Sequence, residues 1–136
     1  MSNNTRILAI SELNKRSPLL SSLNDMFEFH FAADSEEVID KTSDELPIDL
    51  LLVDADSLAS DALDMCLWLK TEEETKNLPL VVIVNNEASI SKWLAIGASD
   101  YLLATTQHDL AQTRIKNLLE LKYKTCLLYT SDAADE

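Results

Sequence analysis

Ile48-Asp49-Leu50-Leu51-Leu52-Val53-Asp54-Ala55-Asp56 is the stretch whose reading decides the fold. Four consecutive aliphatic residues, Leu50 to Val53, find apolar partners on both sides only in a strand sandwiched between two helical layers, as parallel strands are. The run stops at Asp54, so a carboxylate emerges where the backbone leaves the sheet. In open parallel sheets the carboxyl ends of the strands are where sites are built. Asp54 is therefore the first candidate for chemistry; the alternative is that it ends the strand or caps the next helix.

Upstream, Ile7 to Ile10 forms a second aliphatic run, closed by Ser11-Glu12, and reads as a first buried strand. From Asn14 to Met26 the apolar positions Leu19, Leu20, Leu23 and Met26 recur at three and four residues, the spacing of an amphipathic helix, with Pro18 in an early turn. Phe27, Phe29 and Phe31 alternate with Glu28 and His30, the period-two pattern of an edge strand with one face less buried. His30 falls on the polar side and is expected at the surface. Asp34 or Ser35 can cap a helix running to Ser43, with Glu36 and Glu37 in a first turn that favours negative charge.

Downstream, Leu58 to Lys70 carries Leu63, Met65, Cys66, Leu67 and Leu69 on a broad apolar face, so Met65 and Trp68 read as packing. Thr71 to Asn77 is a polar connection. Leu80 to Val84 is as continuously aliphatic as the central run and closes on Asn85-Asn86. Ala88 to Ala98 is a short helix bearing Ile90, Trp93, Leu94 and Ile96, and Gly97 suits a left-handed cap. Tyr101 to Leu103 is the last strand. Gln107 to Lys124 repeats Leu110, Ile115, Leu118, Leu119 and Leu121, with basic residues toward its C-terminal half. Five strands alternating with five helices specify an α/β fold, a doubly wound parallel sheet covered on both faces through right-handed crossovers.

The 136 residues suffice for one domain with a real core. There is no run of 18 apolar residues and no signal-peptide pattern at the polar N-terminus, so a cytoplasmic protein without membrane contact is expected. Cys66 and Cys126, in unrelated contexts, suggest neither a disulfide framework nor a zinc site. A formal charge of −13 argues against a nucleic-acid surface. The single glycine, Gly97, excludes the Gly-rich phosphate loops of NAD, FAD and P-loop proteins.

Residues 126–136, Cys-Leu-Leu-Tyr-Thr-Ser-Asp-Ala-Ala-Asp-Glu, resemble the translation of a transposase adapter used to build sequencing libraries. They are set aside as a non-native tail. The expectation is a domain over residues 5–124 whose natural chain continues past Thr125.

In order, Ile7 to Glu12, Leu50 to Asp54, Leu69-Lys70 through Leu78-Pro79, and Gly97-Ala98-Ser99-Asp100-Tyr101-Leu102 resemble the response-regulator receiver (CheY-like) family. The resemblance implies a flavodoxin-like sheet of order 2-1-3-4-5 and phosphoryl transfer from a histidine kinase to Asp54. It implies Mg²⁺ held by Glu12 and Asp54 with the carbonyl of Asp56, a switch aromatic at Tyr101, and a dimer face on the fourth helix, fifth strand and fifth helix. A cation is needed because a carboxylate attacks a charged phosphoryl group poorly until the oxygens are neutralised.

Three family positions depart from that pattern. Ser11 stands where the family has a second acid, Val84 where it has a phosphoryl-binding hydroxyl, and Ala104 where it has a lysine. Loss of fixed donors costs about 10² to 10³ in rate per donor in other preorganised sites. The residues therefore point to a degenerate pseudo-receiver, itself not an enzyme, with weak Mg²⁺ binding at Glu12, Asp54 and Asp56. It would act by protein contact ahead of an output domain such as a diguanylate cyclase. A working phosphoacceptor in a two-component phosphorelay stays open beside it. A flavodoxin-like cofactor binder is disfavoured by the carboxylate of Glu12 in the loop after the first strand.

Overall fold

The computed structural model describes residues 5–12, 18–23, 27–43, 47–58, 61–87, 90–107 and 109–120. Five strands, β1 (Arg6–Ile10), β2 (Glu28–Ala32), β3 (Leu50–Asp54), β4 (Leu80–Val84) and β5 (Asp100–Leu103), form one sheet in the order β2-β1-β3-β4-β5, every neighbouring pair parallel. Helices α1 (Pro18–Leu23), α2 (Ser35–Thr42), α3 (Ala55–Leu58), α4 (Asp61–Leu69) and α5 (Ile90–Ala95) connect them, and a helix over 109–120, α6, follows β5. The parallel sheet is the one expected from the alternating runs, and its strand order is the one that the receiver resemblance implies.

Side-chain alternation along the central strands divides the core in two. Ile7 and Ala9 of β1, with Leu50 and Leu52 of β3, pack with Leu19, Leu20 and Leu23 of α1 and with Ala111 and Ile115 of α6. Leu8, Ile10, Leu51 and Val53 point the other way, into a cluster with Val38 of α2, Cys66 and Leu69 of α4, and Trp93 of α5. Every residue of β3 is buried, which is what an unbroken aliphatic run requires. The edge strand β2 is less covered, its Phe29 and Phe31 rings 5.9 Å apart. His30 is half-buried rather than fully exposed, because Glu28, two residues away on the same side, pairs with it at 2.9 Å and with Arg6 at 3.1 Å. These partners hold the Glu28 carboxyl below its usual range, the hydrogen bond from His30 foremost.

Local signals account for the element ends. Asp34 caps α2, its Oδ1 accepting from the Glu37 amide at 3.0 Å, while Glu37 Oε1 accepts from the Ala33 amide at 2.7 Å. After α5, Ala98 N donates to Trp93 O and Gly97 N to Leu94 O, the paired bonds of a Schellman turn, with Gly97 at φ 110°. Helical conformation begins directly at Ala55, three residues before the expected start at Leu58, and the expected helix runs on over 61–69 as α4; residues 59–60 lie outside the described residues. The helix ends expected at 14–17, 24–26, 88–89 and 121–124 lie outside the described residues, as does the 126–136 tail.

The polar connection 71–77 holds one buried member. Thr75, 1% exposed, donates its hydroxyl to the carbonyl of Leu69 at 2.6 Å, capping the last turn of α4. Thr75→Val leaves that carbonyl unsatisfied and is expected to cost about 1–3 kcal/mol in urea-unfolding free energy, against under about 0.5 kcal/mol for the exposed Thr71→Val.

Cys66 is fully buried, and burial pushes its thiol up to about 12 from an ordinary 9. The thiol form is thus favoured in the folded state. Stability from this group is complete below pH 9 and is lost as pH rises from 9 toward 12. In iodoacetamide labelling at pH 8 followed by peptide mass spectrometry, Cys66 is expected to stay unmodified in the native protein and to react fully in 8 M urea.

Candidate functional site

The parallel register sets the C-terminal ends of four strands in a row. Ile10 pairs with Val53, Asp54 with Ile83, and Val84 with Leu103. One step beyond these pairs, Ser11 and Glu12 leave β1 beside Asp54 at the end of β3, and Ala104 leaves β5 beside the end of β4. Ala104 is fixed there by its amide, which donates to Val84 O at 2.8 Å, and Ser11 by its amide on Ala32 O at 3.0 Å. The sequence-predicted residues Ser11, Glu12, Asp54, Val84 and Ala104 therefore share one rim.

Their surroundings differ sharply. Asp54 is 0% exposed and Ser11 1%, whereas Glu12, a single residue further along, is exposed. Burying a carboxylate takes it out of water, so its charged form requires donors or a cation. The Ser11 hydroxyl is buried with no hydrogen-bond partner. Val84 is buried and offers only methyl groups, and Ala104 offers one more. Asp56 is the second residue of α3; its side chain lies outside the described residues.

Polar groups near Val84 and Ala104 are engaged or exposed. The Thr106 hydroxyl accepts from the Leu103 amide at 3.1 Å and closes the turn after β5, and Thr105 and Asn85 are exposed. Lys70, which follows α4, lies at the opposite rim, with its stem against Gly97. The donor set at the Asp54 rim is thus two acids and one hydroxyl, all oxygen. Among the described residues no group of three or more His, Cys, Asp or Glu forms a metal cluster. Oxygen donors with only one or two carboxylates suit Mg²⁺, which keeps several waters, better than a softer metal.

Tyr101, the switch candidate, is half-buried in β5 and held from α6. The Arg114 guanidinium lies 5.2 Å from the ring centroid, donates to the Tyr101 carbonyl at 2.9 Å and approaches Asp100 at 3.8 Å. This contact was not visible in sequence, where Arg114 counts only as one of several bases in the closing helix. The contact spans 13 residues and two elements, and neither periodicity nor charge pattern encodes it.

Solved structures with the same arrangement decide the architecture. The receiver domain of a sensor histidine kinase from Pseudomonas aeruginosa, with a magnesium ion coordinated in its active-site cleft, superposes with a TM-score of 0.70 at 15% identity, covering 87% of this chain and 99% of that one. A response regulator from Thermotoga maritima gives 0.69 at 20% identity over 87% and 99%. The BeF₃-activated N-terminal receiver domain of a regulator from Klebsiella pneumoniae gives 0.64 at 21% over 85% and 98%. The chain has the receiver-domain fold. No family model and no curated protein matches the sequence. In open parallel sheets generally, the rim at the carboxyl ends of the strands, which here holds Asp54, is where a site is built.

The buried Ser11 hydroxyl yields a test. A hydroxyl without a partner costs folding free energy that a methyl does not, so Ser11→Ala is expected to stabilise the protein by about 1 kcal/mol in urea melts in metal-free buffer. A loss of stability would reveal that the hydroxyl has a structural partner.

Proposed function

We propose that this chain is a receiver-type signalling module of a two-component phosphorelay, degenerate at its phosphorylation site and acting by protein contact rather than by turnover. The observation carrying this reading is the rim itself. Asp54 sits fully buried at the end of the central strand, while the neighbouring strand ends present Val84 and Ala104 in place of a hydroxyl and an ammonium. Phosphoryl transfer to Asp54 would form a P–O bond to its carboxylate with two phosphoryl charges to offset, and nothing at Val84 or Ala104 can do that.

Glu12 and Asp54, with the Asp56 carbonyl, would hold Mg²⁺ weakly, the rest of its shell being water. The bound cation would supply charge neutralisation for the incoming phosphoryl oxygens. The Ser11 hydroxyl can add a neutral donor but not the second negative charge that tight binding needs.

The partner is a histidine kinase or another signalling protein, and the setting is the cytoplasm. Among the described residues no helix is long and apolar enough to cross a membrane. Contact, including a homodimer, would use α5, β5 and α6, the fourth and fifth helices of the expected count. Leu94 and Leu110 are exposed on that face, at 44% and 52%.

The test is beryllofluoride trapping followed by ¹⁹F NMR with and without Mg²⁺. The wild-type chain is expected to form no adduct, and Val84→Thr/Ala104→Lys to form a Mg²⁺-dependent adduct that Asp54→Ala abolishes. A Mg²⁺-dependent adduct on wild type, absent in Asp54→Ala, would establish the working phosphoacceptor instead.

A further inference from the structure

On the sheet face away from α1 and α6, an open groove of about 340 Å³ runs between the start of α2 and the α3–α4 pair. Its apolar floor is Leu58, Met65 and Trp68, each only partly covered by the core beneath, and its rim carries Asp34, Asp61 and Asp64, all exposed. Asp61 and Met65, and Asp64 and Trp68, are four apart in α4, so each carboxylate stands one turn from an apolar floor residue. The apolar surface continues along both bounding helices. Ile39, 48% exposed, is one turn beyond Ser35 in α2, and Leu67, 45% exposed, is three residues beyond Asp64 in α4.

We propose that this groove is a docking site for a basic amphipathic helix of a partner protein, its apolar side chains over Trp68 and Met65 and its Lys or Arg residues toward Asp34, Asp61 and Asp64. Three observations select that occupant. The rim has three carboxylates and no described cation, so an acidic or phosphorylated partner is repelled. The apolar floor requires more than a polyamine or a simple cation. The exposed Ile39 and Leu67 lengthen the surface along two helices, fitting an extended helical segment laid in a groove. The site lies away from the α5-β5-α6 face and its occupancy does not depend on phosphorylation of Asp54. Leu58 belongs to the helix that starts at Ala55, directly after Asp54, so an occupant touches the element next to the rim.

The probe is a fluorescein-labelled 14-residue peptide of Leu and Lys, with Leu at i, i+3, i+4 and i+7 spacing, titrated by anisotropy against the full chain at 150 mM salt. A scrambled peptide of the same composition serves as control. The expected result is saturable binding that Trp68→Ala and Asp61→Lys/Asp64→Lys each weaken at least tenfold. The same charge change outside the groove, Glu73→Lys/Glu74→Lys, is expected to weaken it less than twofold, and the scrambled peptide to bind at least tenfold more weakly. Amide shift changes in ¹⁵N NMR should centre on α2 and α4. Absence of saturable binding, equal loss in the Glu73/Glu74 variant, equal binding of the scrambled peptide, or shifts centred on α5-β5-α6 would each overturn the proposal. A wild-type dimer in sedimentation that Asp61→Lys/Asp64→Lys dissolves would replace the partner helix with a second copy of this chain.

Discussion

Two-sided burial of β3 is the constraint on which the architecture rests. A strand with aliphatic side chains on both faces is unstable unless each face is roofed, and helices supply the roofs: α1 and α6 on one side, α2, α4 and α5 on the other. Parallel neighbours follow because α1, α2, α4 and α5 are also crossovers between strands. All strands then end at the same rim, where Asp54, the last residue of the most buried strand, meets the residues that leave β1, β4 and β5. Its burial is thus a property of the topology before it is a property of any chemistry.

At the same rim, the scaffold and the chemistry of single side chains are separable. The scaffold that gathers the four strand ends is complete, with register intact through Val84 and Leu103. The polarity of single side chains at those ends is a separate matter, since a methyl group at Val84 or Ala104 packs there without disturbing the sheet. A receiver fold can therefore lose preorganised donors one residue at a time while its stability and its helical surfaces persist. Protein contact survives such losses better than phosphoryl transfer, which needs all the donors together.

Much of this was legible in the sequence because it is written in periodicity. The aliphatic runs of β1, β3 and β4, the Phe29/Phe31 alternation of an edge strand and the glycine after α5 each encode their own local conformation. Asp54 was legible for the same reason, standing where an apolar run breaks. The helical start at Ala55, three residues ahead of Leu58, was not, since Ala55-Asp56-Ser57 carries no apolar periodicity. Nor were the tie of Thr75 to Leu69, the clamp of Arg114 on Tyr101, and the acidic groove, which takes its rim from both α2 and α4. Each depends on where elements meet in space. Trp68 shows the limit well: its helical spacing marks it as packing, and it does pack, yet its outer part is the floor of a groove.

Gly97 has a wider meaning for how the halves of the sheet are joined. Its Schellman turn passes so close to Lys70 that an added Cβ would stand 3.0 Å from the lysine Cε, and its φ of 110° suits few other residues. The tail of the third crossover is thereby clipped to that of the fourth through the chain's sole residue lacking a side chain. Any tilt of α5 that re-shapes the β5 face must either unseat that lysine stem or carry α4 along with it.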